Sequence, residues 1–185
     1  MLLVRHGESH FNVHFSKTRI DPGIADPGLT RRGLEQAVAA ADRIAALGRA
    51  KRIITSPYWR TLQTAEIIAD RLGLPVSIET QVRERAFFAC DMGTPRHKLA
   101  ARWPQFEFVG LTDTWWPNLD ETVEQLDRRS AAFRRQLAEA GDWQGLLVVT
   151  HWGFIRALTG ETVENGTVLG FDPTSGSVEI HETAA

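Results

Sequence analysis

Cysteine is nearly absent: Cys90 stands alone among 185 residues, which excludes an internal disulfide and any cysteine-based zinc cluster. A reducing compartment is expected, the cytoplasm being the simplest. Lysine is almost as scarce. Of the 21 cationic side chains only Lys17, Lys51 and Lys98 are lysines, so the chain relies on guanidinium, the group suited to bidentate phosphate or carboxylate contacts. Charge of one sign is not in excess either: 21 Lys plus Arg against 23 Asp plus Glu leave a formal charge of −2. Nucleic-acid binders and polybasic membrane proteins carry a basic surplus, so neither nucleic acid nor a membrane surface is expected as a partner. No run reaches the about 18 apolar residues of a membrane span, and the first apolar stretch, Met1 to Val4, is ended by Arg5. Repeats with a period of roughly 20 to 50 residues are lacking, as are low-complexity tracts and dividing linkers.

What is present is the balance of an ordinary globular chain, 43% hydrophobic and 24% charged, so one domain spanning 1–185 is expected. Leu2-Leu3-Val4 is a short apolar run of the kind that makes a strand buried on both faces, and it stops at Arg5-His6-Gly7-Glu8. A loop with two Asp-Pro-Gly turns follows. Thr30 is then a plausible N-cap for a helix carrying Leu34, Ala37, Val38, Ala41, Ile44 and Ala45, ended by Gly48. Ile53-Ile54 reads as a strand, and Ser56-Pro57 as the N-cap and first-turn proline of a helix with the stripe Leu62, Ala65, Ala69 and Leu72. Val76 to Ile78 is another strand. A later helix starts near Asn118 or Asp120, with Asn118 and Glu121 as a capping pair. Leu146 to Val149 is a buried strand followed by a short helix through Leu158, and Thr167 to Phe171 with Val178 to Ile180 read as hairpin-like edge strands.

Strands alternating with amphipathic helices predict an α/β fold, a mostly parallel central sheet with helices on both faces. The interval 87–117 breaks the rhythm. It is rich in aromatics (Phe87, Phe88, Trp103, Phe106, Phe108, Trp115, Trp116) without clean periodicity, so it is expected to be a small cap inserted over one end of the sheet.

Ligands of open α/β sheets bind outside the carboxyl ends of the strands. Arg5-His6 follows the first strand, Arg60 falls in the first turn after Ile53-Ile54, and His151 follows Leu146 to Val149. Two arginines, two histidines and helix N-termini suit a compact dianion, for which phosphate is the natural guess. A neutral histidine hydrogen-bonded through one ring nitrogen can attack phosphorus with the other, with no metal or other cofactor. His6 is the better nucleophile, because Arg5 and Gly7 leave room and charge for the transferred group. His10, His14, His97 and His181 show no metal-ligand spacing, so no metal is expected. Lys17 and Arg19, on the loop after His6, are either solvated or contacts to an acidic substrate.

Arg5-His6-Gly7-Glu8 with Asn12, Gly28-Leu29-Thr30 with Gly33 and Gln36-Ala37, Ser56 to Thr61 with Gln63-Thr64-Ala65, Arg83-Glu84-Arg85, and Val148 to His151 with Gly153 and Ile155-Arg156 resemble the histidine phosphatase superfamily, the phosphoglycerate-mutase-like fold. The resemblance runs from Leu2 to about Leu158, in family order. It implies that His6 accepts the phosphoryl group, that Arg5, Arg60 and His151 hold it with a contribution from Asn12, and that Glu84 donates the proton to the leaving oxygen. Two departures from the family pattern are visible. Trp152 follows the second histidine, where its bulk should narrow that side of the substrate pocket, and the Gly-x-x-Glu-Gly pattern usual after the acid is missing between Arg85 and Gly93. Should Glu84 not be the acid, Glu121 or Asp91 is next. The expected activity is metal-independent hydrolysis of a small phosphomonoester. Its rivals are mutase-type phosphoryl transfer and a catalytically silent module that binds a phospho-ligand.

Overall fold

The computed structural model describes residues 1–181, and its chain order is β1 (Leu2–Arg5), α1 (His10–Thr18), α2 (Arg31–Leu47), β2 (Arg52–Thr55), α3 (Trp59–Leu72), β3 (Val76–Ile78), α4 (Arg96–Arg102), α5 (Val123–Ala140), β4 (Leu146–Thr150), α6 (Trp152–Thr159), β5 (Val168–Phe171) and β6 (Val178–His181). The six strands form one sheet in the order β3-β2-β4-β1-β5-β6. The first four are mutually parallel, whereas β5 runs antiparallel to β1 and β6 antiparallel to β5. The sheet is therefore mostly parallel, closed on one side by the hairpin the carboxyl-terminal pattern suggests.

The short unbroken apolar runs have a direct cause. Successive strand side chains point to opposite faces, so Leu2, Val4, Leu147 and Val149 pack with Ala40, Ala41, Ile44, Ala65 and Ile68 from α2 and α3. Leu3, Leu146 and Val148 pack on the other face with Leu126, Phe133, Phe154, Ile155 and Leu158 from α5 and α6. Covering both faces removes the need for polar alternation. Among the described residues no helix is long and apolar enough to cross a membrane.

Four elements differ from the sequence expectation. The stretch after His6 is not all loop: α1 forms, started by a capping box in which Ser9 accepts from the Asn12 backbone and Asn12 answers the Ser9 backbone. Lys17 thus lies in the last turn of α1 and Arg19 is its left-handed cap at φ 57°. On α2 the buried stripe is Gly33, Ala37, Ala40, Ala41 and Ile44, while Leu34 and Val38 face outward, 39% and 50% exposed. The rotation is set at Gly33, where a Cβ would overlap the Glu8 carbonyl oxygen, just as one on Gly7 would overlap that of Gly33. Helix α3 begins at Trp59, after Ser56-Pro57, and its first N–H is taken by Asp26 from the preceding loop at 2.9 Å. Finally, α5 is capped by Thr122 with Gln125, not by Asn118 with Glu121. Glu121 is instead buried between Arg83 (3.1 Å) and Arg129 (2.9 Å).

Residues 87–117 contribute no strand to the sheet beyond a single parallel bridge from Glu107 to Ser77 of β3. Their Leu99, Trp103, Phe106, Phe108 and Trp115 form a separate cluster on Tyr58 and Leu62. This segment therefore leans on the start of α3.

Candidate active site

Strands β1 and β4 are neighbours whose connections leave in opposite directions along the sheet. From β1 the chain passes α2 on one face to reach β2; from β4 it passes α6 on the other to reach β5. Such a divergence opens a crevice beyond the carboxyl ends of the two strands. His6 and His151 stand at its two sides, their ring centroids 5.2 Å apart and their planes inclined at 64°.

The loop carrying His6 is pinned from several directions. The His6 N–H bonds the Thr150 carbonyl at 3.0 Å, and Asn165 donates to the His6 carbonyl at 3.0 Å. The Gly7 N–H donates to Thr64 at 3.2 Å. Glu8 holds the start of α2, accepting from Thr30 through its backbone and its carboxylate, each at 2.8 Å. The imidazole Nδ1 lies 2.7 Å from the Gly7 carbonyl. A carbonyl only accepts, so Nδ1 carries the proton and Nε2 keeps its lone pair. Burial first, then the fields of Arg60 and Arg5, hold this imidazole well below the usual histidine range. A neutral ring with a free Nε2 is the form a nitrogen nucleophile requires.

Around His6 the donors are unevenly satisfied. Arg5 gives one bond, to the Val163 carbonyl at 2.7 Å, and its Nε is buried without a partner. His151 meets Ser56 Oγ through Nε2 at 2.8 Å, while its Nδ1 is also buried and unpartnered. Its imidazole too is held well below the ordinary range, chiefly by burial and then by Arg60. Arg60 donates to the Cys90 carbonyl at 2.9 Å and to Asp91 at 3.1 Å, which uses two of the five guanidinium N–H groups. A buried polar atom without a partner costs about 1–3 kcal/mol, so an arrangement that leaves Arg5 Nε and His151 Nδ1 open beside one nucleophile suits a polar ligand, and the Arg5 N–H calls for an acceptor on it.

Glu84 arrives between β3 and the inserted segment. Its Oε1 accepts from the Arg85 backbone at 2.9 Å and its Oε2 from the Gly153 backbone at 3.1 Å, at the N-terminus of α6. Burial first, then the nearby Asp91, push this carboxyl above its ordinary range, against the opposing pull of those hydrogen bonds and of Arg60. A carboxyl so placed can hold a proton for a leaving oxygen.

The two fallback carboxylates are fully engaged. Asp91 accepts from Phe87 N–H, Phe88 N–H, Arg60 and the Cys90 thiol. Glu121 accepts from Arg83, Arg129 twice, and the Ala86 N–H. Asn12 is largely a cap residue: its Oδ1 accepts from Ser9 and, at 3.3 Å, from Asn165, so it touches the site through the residue that holds the His6 carbonyl. Trp152 opens α6 with 38% of its surface exposed, and Arg156 lies 5.3 Å over its ring. Sequence reasoning does not single out Asn165, includes Thr64 only as part of the motif, and reads Ser56 as an N-cap, whereas α3 is capped at Tyr58 and Ser56 instead meets His151. For Asn165 a signal existed, since Asn-Gly ahead of a strand marks a turn, and Gly166 has φ 79° with its N–H toward Arg5 and His6 carbonyls; the strand that follows, β5, lies inside the sheet and not at its edge as the sequence suggested. Among the described residues no group of three or more His, Cys, Asp or Glu side chains converges as a metal site requires.

The family model described as histidine phosphatase superfamily, branch 1, matches residues 1–179. A glucosyl-3-phosphoglycerate phosphatase of Mycolicibacterium vanbaalenii is 32% identical over 92% of this chain and 78% of its own length. A metal-independent phosphoserine phosphatase of Arabidopsis thaliana is 30% identical over 85% of this chain and 66% of its own, and a probable phosphoglycerate mutase of Proteus mirabilis is 34% identical over 79% and 66%. Among solved structures, a mycobacterial glucosyl-3-phosphoglycerate phosphatase with VO3 superposes with a TM-score of 0.64 over 98% of this chain and 95% of that one, at 23% identity, a likeness of fold.

Proposed function

The chain belongs to branch 1 of the histidine phosphatase superfamily, and we propose that this phosphatase hydrolyses a small phosphomonoester through a phosphohistidine on His6. His6 Nε2 attacks phosphorus while the bond to the ester oxygen breaks, and the Glu84 carboxyl gives its proton to the departing alkoxide. Water then attacks the phosphoryl group, the Glu84 carboxylate takes the water proton, and the P–N bond breaks to release inorganic phosphate and neutral His6. Arg5, Arg60 and His151 stabilise charge on the equatorial oxygens in both steps without reorganising. Asn12 and Trp152 border that site.

One observation carries this reading: Arg5 Nε and His151 Nδ1 are buried without partners, in the residues beside a neutral His6 whose Nε2 is free. Phosphoryl oxygens supply what they lack. The segment 87–117 acts as a cap within a single catalytic domain, and the small net charge of −2 favours a compact substrate over a nucleic acid. A cytoplasmic setting agrees with a lone buried thiol at Cys90. The direct test is rapid quench with a ³²P-labelled monoester. The wild type should carry acid-labile, base-stable phosphate and His6→Ala none, with turnover abolished because no adjacent nitrogen can replace Nε2. Normal turnover by His6→Ala would end this reading.

A further inference from the structure

Asp91 is buried at 1% exposure, yet its carboxylate lies outside the proposed proton path. Its Oδ2 accepts from two consecutive backbone N–H groups, Phe87 at 3.2 Å and Phe88 at 3.1 Å, and its Oδ1 meets Arg60 at 3.1 Å. The next carbonyl back in the chain, that of Cys90, takes the other arm of the same guanidinium at 2.9 Å. Tyr58 completes the enclosure, with its ring face 4.4 Å from the Arg60 guanidinium carbon and its hydroxyl donating to the Asp91 carbonyl at 2.8 Å. Arg60 comes from the first turn of α3, whereas Asp91 and Cys90 come from the inserted segment. The orientation of the guanidinium is therefore decided by a part of the chain that contributes no strand to the sheet.

We propose that Asp91 is a positioning residue for phosphoryl transfer: its carboxylate, with the Cys90 carbonyl, fixes the Arg60 fork so that N–H groups not engaged by them are held toward the phosphoryl site. A long side chain has many rotamers, and a buried cation without a counter-charge is costly to hold. Asp91 removes both difficulties at one point. The same carboxylate lies near Glu84, which is faced by Arg5 from β1, Arg60 from α3 and Arg129 from α5 as cations, with the α6 N-terminus at Gly153 and the Asp91 anion. Removing the anion leaves Glu84 among cations, and its carboxyl loses its proton at lower pH.

This inference rests on the phosphatase reading, and the experiment separates the two. Asp91→Asn keeps the shape but loses the charge. Hydrogen bonds to charged groups contribute about 1.5–3 kcal/mol, so vanadate and inorganic phosphate should bind the variant on the order of ten- to a hundredfold more weakly. The alkaline limb of kcat/KM for an alkyl phosphate should move to lower pH, which lost stability alone would not produce. In an Arg60→Lys background the same change should weaken vanadate little further, because Asp91 acts through Arg60. Should Asp91→Asn fail to fold, Tyr58→Phe deletes only the bond to the Asp91 carbonyl and should weaken vanadate in the same direction. Phosphohistidine formation by the wild type, with vanadate affinity and pH profile unchanged in the folded variant, would overturn the role of Asp91 and leave the phosphatase reading standing. Absence of phosphohistidine in the wild type would strike that reading itself.

Discussion

A Cβ built on Gly153 would overlap Glu84 Oε1, so the carboxylate occupies the space a side chain would take at the N-terminus of α6. Glycine there is required by contact rather than by backbone angle, and it admits Glu84 to within 3.1 Å of the Gly153 N–H.

Gly153→Ala should therefore displace Glu84 and mimic its loss. Removing a general acid slows reaction by roughly 10²- to 10⁴-fold, so Glu84→Gln should lose about that much on alkyl phosphates, whose leaving alkoxide needs a proton. Gly153→Ala should fall in the same direction. Both should spare p-nitrophenyl phosphate, whose leaving group departs unprotonated. Equal losses on both substrate classes would remove Glu84 from the acid role. Asp91 and Glu121 could not inherit it, because every lone pair that could face a substrate is already committed to protein donors.

The pH profile follows from two opposite shifts. His6 must be neutral to attack, and its proton is held only well below the usual histidine range, so kcat/KM should not fall as pH drops through 6.5, the ordinary histidine value. Glu84 must be protonated to act as the acid, and its carboxyl is raised above 4.5. Activity on alkyl phosphates is then fullest below the raised Glu84 value and declines as pH rises through it. With p-nitrophenyl phosphate the alkaline decline assigned to Glu84 should disappear. An acid-side loss near pH 6.5 that tracks free enzyme would mean that His6 is less buried than its geometry indicates.

Much of this site is legible in the residue order. Arg5, His6, Arg60 and His151 fall at strand ends because the strands are short apolar runs with polar stops, and such stops are read directly. Partner choice is harder to read. Nothing local distinguishes Asp91 from a surface acid, since its bonds to Arg60 span 31 positions and depend on how the aromatic segment folds back on Tyr58. The α2 face was misjudged for a related reason: Leu34 and Val38 fit a helical period, but backbone contact at Gly33 outweighs the burial of two side chains. Helix α1 is hidden in the sequence because its apolar residues, Phe11, Val13 and Phe15, alternate instead of forming a helical stripe, and its start signal is Ser9 with Asn12, an unusual partner for a capping box.

Arg60→Lys should not be conservative. An ammonium cannot bond Cys90, Asp91 and a phosphoryl group along the directions a planar fork offers. Loss of one preorganised donor costs about 3 kcal/mol in barrier height, so kcat should drop on the order of a hundredfold and vanadate affinity with it. Rates and affinity that stay unchanged would show that Arg60 serves only the buried ion pair.

The relatives include both phosphatases and a probable mutase, so the fate of the phosphohistidine has to be settled on this chain. A mutase must keep its acceptor bound and exclude water until the phosphoryl group returns, which calls for polar contacts at both ends of a phosphoglycerate. Here the residue after His151 is a large ring, and the segment that leans over α3 presents mainly aromatics, several of them consumed in their own cluster. One phosphoryl pocket beside apolar surface retains the group transferred to His6 but not the alcohol it came from. The dephosphorylated product should leave first, and water should follow. Inorganic phosphate should therefore appear from several monoesters at the same rate with and without EDTA, and 2- and 3-phosphoglycerate should not interconvert even after priming with 2,3-bisphosphoglycerate. Rapid primed interconversion with little phosphate release would instead establish the mutase.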